Sequence, residues 1–583
     1  MQKFLRLGQR PVLLSAPSIA ILLVVFGVPL VVLFVTSLNA PAYSVQNYLN
    51  FFAQPANIRV LIQTVEMSGV TTAICILVGY PTAYLIVSAS PQARTAMIVL
   101  IVIPYLTSLL ARTYAWIMIL GDRGLINNLL LHYGLISSPL PLIYNRTAVY
   151  VGMVHIMLPT MILPLVSVML GINKSLVSAA RSMGARPLTA FWRVFFPLSL
   201  PGLRSGALLV FVLSLGFYIT PAALGGVRDV MLSTFIAAQV AGSFNMARVA
   251  TASFVLLAVT LLVLSIFGLD FAGGETTTYR TRRWGFKPLI LGCLRFLREF
   301  AVPYRAHNWA AQLHRAGSGA RLGKVAGTTF LILMMVFLLF PGAVVVIMSF
   351  SPGATLEFPP TGLSLQWYRS FFNDPSWNGA LITSIEIGIA VTILSTAAGT
   401  LAAYGLSRTS ARLRSWFTTL LLMPITVPVI VVAIAAYLGL VRIGLLGTTT
   451  GLVLAHSLGG IAYVVVIVSA TLVNFDRRLE QAAQSMKAGP LRTFRRVTLP
   501  LILPGVIGGA VFAFISSFDE LVISSLVSGL SIRTLPLKMW ENIRHEIDPT
   551  IAAVASLLML LPILWLGAIY LTWWRSRTPA KVA

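Results

Sequence analysis

The sequence predicts an all-α polytopic membrane protein made of two parallel six-helix domains. Three observations lead to this prediction: a very apolar composition, twelve apolar stretches, and a polar segment that occurs twice. Of the 583 residues, 57% are hydrophobic and 10% are charged, and the mean hydropathy is +0.88. Soluble globular domains carry about 25% charged residues, so this composition excludes a soluble globular protein.

A transmembrane helix needs roughly 20 apolar residues, and twelve stretches meet this length. The first follows Lys3, Arg6 and Arg10, and is about 24 residues long, so we expect a retained helix and not a cleaved signal peptide. The twelve stretches are 13–37, 60–87, 96–120, 148–171, 203–221 and 248–270, then 327–349, 379–406, 416–439, 451–473, 505–527 and 550–573.

The net charge of +26 reports membrane orientation. If both termini and the basic central segment are cytoplasmic, the excess of Lys and Arg falls on the cytoplasmic side, and the rest of the chain is close to neutral. The charge therefore does not indicate nucleic-acid binding. Cys75 lies in a predicted span and Cys293 in the central segment, so we expect no disulfide.

A polar, proline-rich segment occurs twice, 303 residues apart. Ala179–Gly202 matches Ala482–Gly505, including the prolines and the Leu, Phe and Arg between them. Thr64-Val65-Glu66 and Ser384-Ile385-Glu386 also open the second helix of each half. Duplication of a six-helix unit explains these matches, and an even number of crossings makes the two units parallel.

The predicted domains are residues 1–278 and 325–583, joined by a basic cytoplasmic linker at residues 279–324. The linker holds ten Lys or Arg between Tyr279 and Lys324. Leu289–Phe300 carries apolar residues among its arginines and could lie as an amphipathic helix on anionic lipid. A solvated basic tether is the alternative.

Each repeated segment predicts a helical hairpin between the fourth and fifth spans, at residues 174–202 and 477–505. In the first copy Gly184 breaks the chain and Pro187 starts a short helix that ends near Arg193. Leu188 and Phe191 are three residues apart and share one face, as do Leu491 and Phe494. Such a face could enter a pocket on a partner or pack on the chain's own helices. Lys487 replaces the glycine and predicts a turn shifted to Gly489.

The spacing Ala-Ala-x3-Gly-x9-Val-x-Phe-Pro, from Ala179 to Pro197, resembles the EAA loop of ATP-binding-cassette (ABC) importer permeases. Ser214–Pro221 in the first half, and Trp367-Tyr368, Ser517–Glu520 and Thr534–Pro536 in the second, are similar to the two permeases of spermidine/putrescine-type importers. Those permeases are usually separate chains, and here they occur in one chain.

This resemblance implies the type I, MetI-like permease fold, a bacterial inner-membrane location and import of a small, amine-containing solute. It implies two cytoplasmic ABC ATPase subunits that bind ATP and Mg, a periplasmic or lipoprotein substrate-binding protein, and contact with membrane lipid. Gly317–Lys324 misses the phosphate-loop spacing, so we expect no cofactor and no enzyme activity in this chain. The implied ATPase-coupling residues are Ala179, Ala180, Gly184, Pro187, Leu188, Phe191, Ala482, Ala483, Lys487, Pro490, Leu491 and Phe494.

Candidate substrate-pathway residues centre on Asp519 and Glu520, which fall in the apolar run of the fifth span of the second half. Adjacent helix positions point about 100° apart, so we expect one acid to face the pathway and the other to cap, pair or orient. For these two acids, a structural ion pair with a neighbouring helix is the alternative. Glu66 and Glu386 could guard an entrance, but acids at a helix start also simply favour the helix dipole. The candidates are Asp519, Glu520, Ser517, Tyr218, Thr220, Trp367, Glu66 and Glu386.

The cargo remains open at this stage. Related second permeases often carry an acid after the proline of the third helix, and here Val429 follows Pro428. This difference favours a less cationic solute, such as 2-aminoethylphosphonate or an amino-acid-like compound, and ferric iron is another alternative. His155 and His456 are isolated and predicted to form buried hydrogen bonds between helices. A secondary transporter would not need the paired hairpins.

Overall fold

The computed structural model describes residues 11–40, 42–242, 245–267, 319–353, 360, 362–529, 531–545, 549–560 and 563–564. These residues are almost entirely helical, apart from one antiparallel pair of two-residue strands, β1 (Asn39–Ala40) and β2 (Ala42–Tyr43). The predicted amphipathic segment Leu289–Phe300 and Cys293 lie outside the described residues.

The helices of the two halves follow one order. The first half contains α1 (Pro11–Ser37), α2 (Gln46–Ala53), α3 (Pro55–Ser88), α4 (Pro91–Leu106), α5 (Leu109–Leu120), α6 (Leu125–His132), α7 (Arg146–Leu170), α8 (Lys174–Ser182), α9 (Pro187–Leu215), α10 (Ile219–Leu224), α11 (Leu232–Gly242) and α12 (Met246–Phe267). The second contains α13 (Gly319–Met348), α14 (Gln366–Asn373), α15 (Pro375–Ser407), α16 (Ala411–Thr426), α17 (Val429–Arg442), α18 (Thr449–Val473), α19 (Arg478–Ser485), α20 (Pro490–Phe518), α21 (Val522–Val527), α22 (Leu535–His545) and α23 (Thr550–Leu560).

Every helix of the second half has a counterpart in the first, and α6 is the additional helix of the first half. Within the described ranges, nine helices are long and apolar enough to cross a membrane, and two bent helix pairs could each form another span. The described part of α23 is shorter than a full span, so the count of twelve stays a prediction. Helix α13 begins at Gly319, which places its start inside the predicted linker.

The duplication extends to individual hydrogen bonds. In the first half the Leu232 amide donates to the hydroxyl of Thr64 at 2.7 Å, and in the second half the Leu535 amide donates to the hydroxyl of Ser384 at the same distance. Both amides belong to the first residue of a helix, α11 or α22, where no intrahelical acceptor is available. The Thr and Ser of the two repeated tripeptides therefore hold equivalent helix starts.

The first helix of each half packs on the other half. Helix α1 lies along α15 and α17, while α13 lies along α3, α4 and α5. The contact with α1 is close at two glycines: a Cβ added to Gly405 would lie 2.4 Å from the Pro11 carbonyl oxygen, and one added to Gly439 would lie 2.4 Å from Pro29 Cγ. His155 on α7 bonds the Leu338 carbonyl of α13 at 3.1 Å. The halves are therefore interlocked.

We expect Gly405→Ala to loosen this packing, because the new methyl group would displace the α1 backbone. Overpacking of this kind costs about 1–3 kcal/mol and should lower the thermal-unfolding midpoint of the purified protein. Gly379→Ala, on the same helix, is the matched control, since a Cβ added there would meet no atom of any other segment within 4 Å. Its better helix propensity should leave the midpoint unchanged or raise it. Equal responses of the two variants would contradict the interlocked packing.

Candidate functional site

The third span of each half is broken near its middle. Helices α4 and α5 meet at 93°, and α16 and α17 meet at 100°. Pro104 and Pro424 lie near the ends of α4 and α16, where a proline cannot donate the next ladder hydrogen bond. The spans predicted at 96–120 and 416–439 therefore correspond to bent helix pairs, and both breaks expose polar backbone groups inside the protein.

The fifth span of each half is also interrupted. Helix α9 ends at Leu215 before α10 begins, and α20 ends at Phe518 before α21 begins. The prediction that Asp519 and Glu520 lie within a continuous helix is wrong, because both fall in the second of these breaks. Non-helical backbone at membrane depth is tolerated where it is packed in protein or lines a cavity. Asp519 meets the first of these conditions and Glu520 meets the second.

Asp519 is half-buried in a joint between the two halves. One carboxylate oxygen accepts a hydrogen bond from the Ser108 hydroxyl at 2.5 Å, and the other accepts from the Leu109 amide at 2.9 Å. A carboxylate from the second half thus caps the start of α5 in the first half, where the helix dipole favours negative charge. This is the capping role expected for one of the two acids.

Glu520 faces a cavity of about 230 Å³ formed by both halves. Its side chain also accepts from the Ile523 amide at 3.0 Å, which caps α21. Tyr218 from the first half and Tyr463 and Ser516 from the second add polar groups, and the remaining wall is mostly apolar. Among the described residues that line this cavity, Glu520 alone carries a charge.

The other pathway candidates lie outside this cavity lining. Ser517 bonds His456 at 3.0 Å, and Thr220 bonds Thr113 at 2.9 Å, so both hydroxyls are used in buried contacts between helices. Trp367 donates to the Ser351 carbonyl at 2.8 Å. Both isolated histidines make buried hydrogen bonds between helices, as predicted.

Glu66 and Glu386 do not lie at helix starts as expected, because α3 begins at Pro55 and α15 at Pro375, and the two acids also differ from each other. Glu66 forms an ion pair with Arg146 at 3.1 Å, and Arg146 also pairs with Asp229 at 3.2 Å. Glu386 is exposed and makes no ion pair within the described ranges. The structure therefore brings Tyr218 and Glu520 together at the cavity and leaves Glu66 and Glu386 apart from it. The sequence did not single out Tyr463 and Ser516, because nothing in their local pattern distinguishes them.

The two hairpins have the same backbone. Gly184 has φ of +84° and Lys487 has φ of +62°, so the lysine takes the left-handed position of the glycine. The closing hydrogen bonds agree as well: Ala185 to Ala180 and Ala488 to Ala483, both at 3.0 Å. The predicted shift of the turn to Gly489 is wrong, because the exposed side chain at this turn meets no steric obstacle.

The helices that follow the turns do not stop where expected. Helix α9 continues past Arg193 through a π turn, in which the Phe196 amide bonds the Phe191 carbonyl five residues back. Pro197 then falls in the first turn of the α-helical stretch, where a missing amide hydrogen costs least. The second copy repeats this arrangement in α20.

The apolar side chains of the hairpins divide into inward and outward groups. Phe191 packs on Tyr84 with ring centroids 5.2 Å apart, and Phe494 packs on Tyr404 at 4.7 Å. These aromatics therefore fasten the hairpins to the chain's own second spans. The side chains that project outward are Leu188 and Leu491, at 42% and 59% exposure, and above all Met183 and Met486, at 83% and 84%.

Comparison with known proteins identifies the family. A model described as "Binding-protein-dependent transport system inner membrane component" matches residues 395–578. The spermidine/putrescine transport system permease protein PotB of Haemophilus influenzae is 35% identical over 196 residues, 34% of this chain and 68% of that relative. The putrescine transport system permease protein PotI of Escherichia coli is 33% identical over 236 residues, 39% of this chain and 84% of that relative. This chain belongs to the family of binding-protein-dependent transport system inner-membrane components.

The permease is about twice as long as the PotB relative, which agrees with two permease units fused in one chain. Its membership makes it a membrane component of a transport system. The broken third and fifth spans, the cavity and the hairpins are thus features of a permease. The broken spans and the hairpin occur in each half, and the cavity lies between the halves.

Beyond the aromatic contact that both hairpins share, the permease attaches its two hairpins by different additional contacts. In the first half, rings of α3 and α9 pack together, including Tyr80, Tyr84 and Phe191. In the second half Glu480 is 7% exposed and accepts hydrogen bonds from Tyr404 at 3.4 Å and from Arg408 and Thr498. Although burial alone would raise the pKa of Glu480, these bonds hold it below the ordinary value of 4.5.

We expect Glu480→Gln to lower the stability of the permease by about 2 kcal/mol, because Arg408 would lose its carboxylate partner while staying mostly buried. A lowered carboxyl pKa contributes stability that is complete above the unfolded-state value and is lost as pH falls through the folded-state value. The wild-type advantage in thermal-unfolding midpoint should therefore persist from pH 7 to about pH 4.5 and shrink below it.

Glu541→Gln is the matched control, because the pair of Glu541 with Arg533 is long, at 3.7 Å, and largely exposed. Such a pair contributes less than about 1 kcal/mol. Midpoints of wild type and Glu480→Gln that stay parallel down to pH 3.5 would refute the assigned role of Glu480.

Proposed function

We propose that this permease is the whole membrane component of an ATP-driven importer, and that a small polyamine-like cation crosses it between the two halves. The observation that carries the proposal is the cavity of about 230 Å³ in which Glu520 is the one charged residue among those described. A half-buried carboxylate in a mostly apolar wall favours a cation, because charges interact more strongly where the surroundings hold little water.

The rest of the cavity lining suits an amine-bearing chain. The rings of Tyr218 and Tyr463 border the cavity, and aromatic faces attract ammonium groups. The apolar wall can contact methylene groups between the amines. The named cargo of the relatives, spermidine and putrescine, supports the same chemical class. Val429 in the lining leaves a single carboxylate, which favours a narrow site for one amine at a time.

The two hairpins are the surfaces from which we infer the binding partners of the permease. They carry basic residues and belong to the face predicted to be cytoplasmic, with both chain termini. We infer that each hairpin receives one copy of an ABC ATPase, which binds the ATP and Mg, and that a substrate-binding protein delivers the cargo on the opposite face. The equal exposure of Met183 and Met486 supports two equivalent contacts, because an exposed apolar side chain gains most from burial in a partner's pocket.

We expect cells that carry the complete system to accumulate labelled putrescine or spermidine. Glu520→Gln should reduce this uptake at least about tenfold, since the carboxylate charge is lost, while the amide oxygen can still accept from the Ile523 amide and preserve α21. Glu541→Gln serves as the control and should transport normally. Absence of uptake in wild type would refute the cargo, and full uptake by Glu520→Gln would refute the site.

We expect Met183→Asp combined with Met486→Asp to release the ATPase subunits, because two charges would enter apolar contacts. Co-purification of the ATPase with tagged permease measures this directly. Leu413→Asp changes another exposed apolar residue, outside the hairpins, and should retain the ATPase. Full ATPase retention by the double variant would show that the methionines are not the contact.

A further inference from the structure

The two halves meet at two structurally equivalent joints. At the first joint, Asp519 from the end of α20 lies at the break before α5. At the second joint, Gly216 from the end of α9 lies at the break before α17, so close that an added Cβ would be 3.0 Å from Pro428 Cβ. The 303-residue repeat relates Gly216 to Asp519, so the same position forms both joints.

The first joint is polar and the second is not. Asp519 takes hydrogen bonds from the Ser108 hydroxyl and the Leu109 amide. At the second joint Pro428 and Val429 stand in place of this serine and leucine, and within the described ranges the Val429 amide has no hydrogen-bond partner. Gly216 offers no side chain that could supply one. Among the described residues, Gly216 therefore meets Pro428 and Val429 through van der Waals contact.

A buried arginine balances the charge of the first joint. Arg112 lies on α5, one turn after Leu109, and therefore on the same helix face. It is 7% exposed, and its Nε and Nη1 atoms have no hydrogen-bond partner in the part of the chain that the structure describes. Asp519 lies across the Leu109 turn from it and is the acid that acts on it electrostatically, although the two side chains form no ion pair within 4 Å among the described residues. A guanidinium buried in this way needs a nearby negative charge, and Asp519 supplies it.

We propose that Asp519 is a positioning residue that keeps the first joint closed throughout the transport cycle, so that the halves separate at the second joint, between Gly216 and Pro428. This inference rests on the proposed function. Charge-assisted hydrogen bonds are short and directional and are lost as soon as the partners move apart. The contact of Gly216 with Pro428 has no such constraint, and the motion concentrates there.

The position of Glu520 links the difference between the two joints to transport. Glu520 is the next residue after Asp519 and faces the cavity, whose lining also contains Leu109, Gly216 and Pro428. A cation bound at Glu520 therefore lies beside the fixed joint and opposite the moving one. The cargo would stay attached to a stationary wall while the other wall moves.

The first test measures ATP hydrolysis by the permease with its ATPase subunits in lipid nanodiscs, without cargo or binding protein. Asp519→Asn and Ser108→Ala weaken the fixed joint, and we expect them to raise this uncoupled hydrolysis, Asp519→Asn by about tenfold. Arg112→Gln should raise it in wild type but add nothing in the Asp519→Asn background, because Arg112 acts through Asp519. Ser457→Ala is the matched control, since its buried hydroxyl bonds only the Leu454 carbonyl of its own helix.

The second test uses covalent bridges in a Cys75→Ser, Cys293→Ser background. Ser108→Cys with Asp519→Cys, joined by a short bis-methanethiosulfonate that forms one disulfide with each thiol and releases methanesulfinate, should restore coupled, wild-type hydrolysis that the reduced form lacks. Gly216→Cys with Pro428→Cys, joined as a disulfide, should stop hydrolysis, and reduction should restore it.

Inactivity of the first bridged form, or full activity of the second, would overturn the inference, as would unchanged hydrolysis in both Asp519→Asn and Ser108→Ala. Because these measurements contain no cargo, they test the joints even if the proposed cargo is wrong. Absence of hydrolysis in the wild-type complex would instead count against the proposed function. Unfolding midpoints of all variants separate a loosened joint from a misfolded protein.

Discussion

The structure depends on one constraint: broken helices inside a membrane protein must find hydrogen-bond partners within the protein, because lipid offers none. Four spans of this permease break near the centre, two in each half. The breaks meet in pairs across the boundary between the halves, so that the end of one helix lies against the start of another. Asp519 satisfies the start of α5 in this way, and the cavity forms where the four breaks converge.

Gene duplication explains why the joints and hairpins occur twice, and the differences between the copies show where each half has diverged. Position 519 carries a carboxylate in one half, while its counterpart is Gly216. The hairpins keep one backbone and one aromatic contact each with the second span, but a buried carboxylate, Glu480, additionally fastens the second. The symmetric frame is therefore attached unequally at its two hairpins and at its two joints.

Much of the fold could be read from the sequence, because lipid imposes simple rules on composition and length. The apolar stretches, the charge distribution and the repeat predicted the spans, the duplication and the hairpins. The starts of the hairpin helices at Pro187 and Pro490 are confirmed. The errors fall where a helix breaks or continues against its local pattern: the unbroken fifth span around Asp519 and Glu520 and the short helix ending near Arg193. In each case contacts with distant residues, or a π turn, outweigh the local preference.

The sequence by itself determined the membrane environment, the two-unit organisation and the family, because these depend on composition, periodicity and repeated motifs within short stretches. Tertiary structure alone decided which acid faces the cavity, which aromatics point inward, and how the first helices exchange between halves. Asp519 and Glu520 are adjacent and chemically alike, yet one contacts a helix start 410 residues away in the chain and the other faces the cavity. Side-chain roles of this kind depend on which distant backbone groups remain unsatisfied, and no local pattern encodes that.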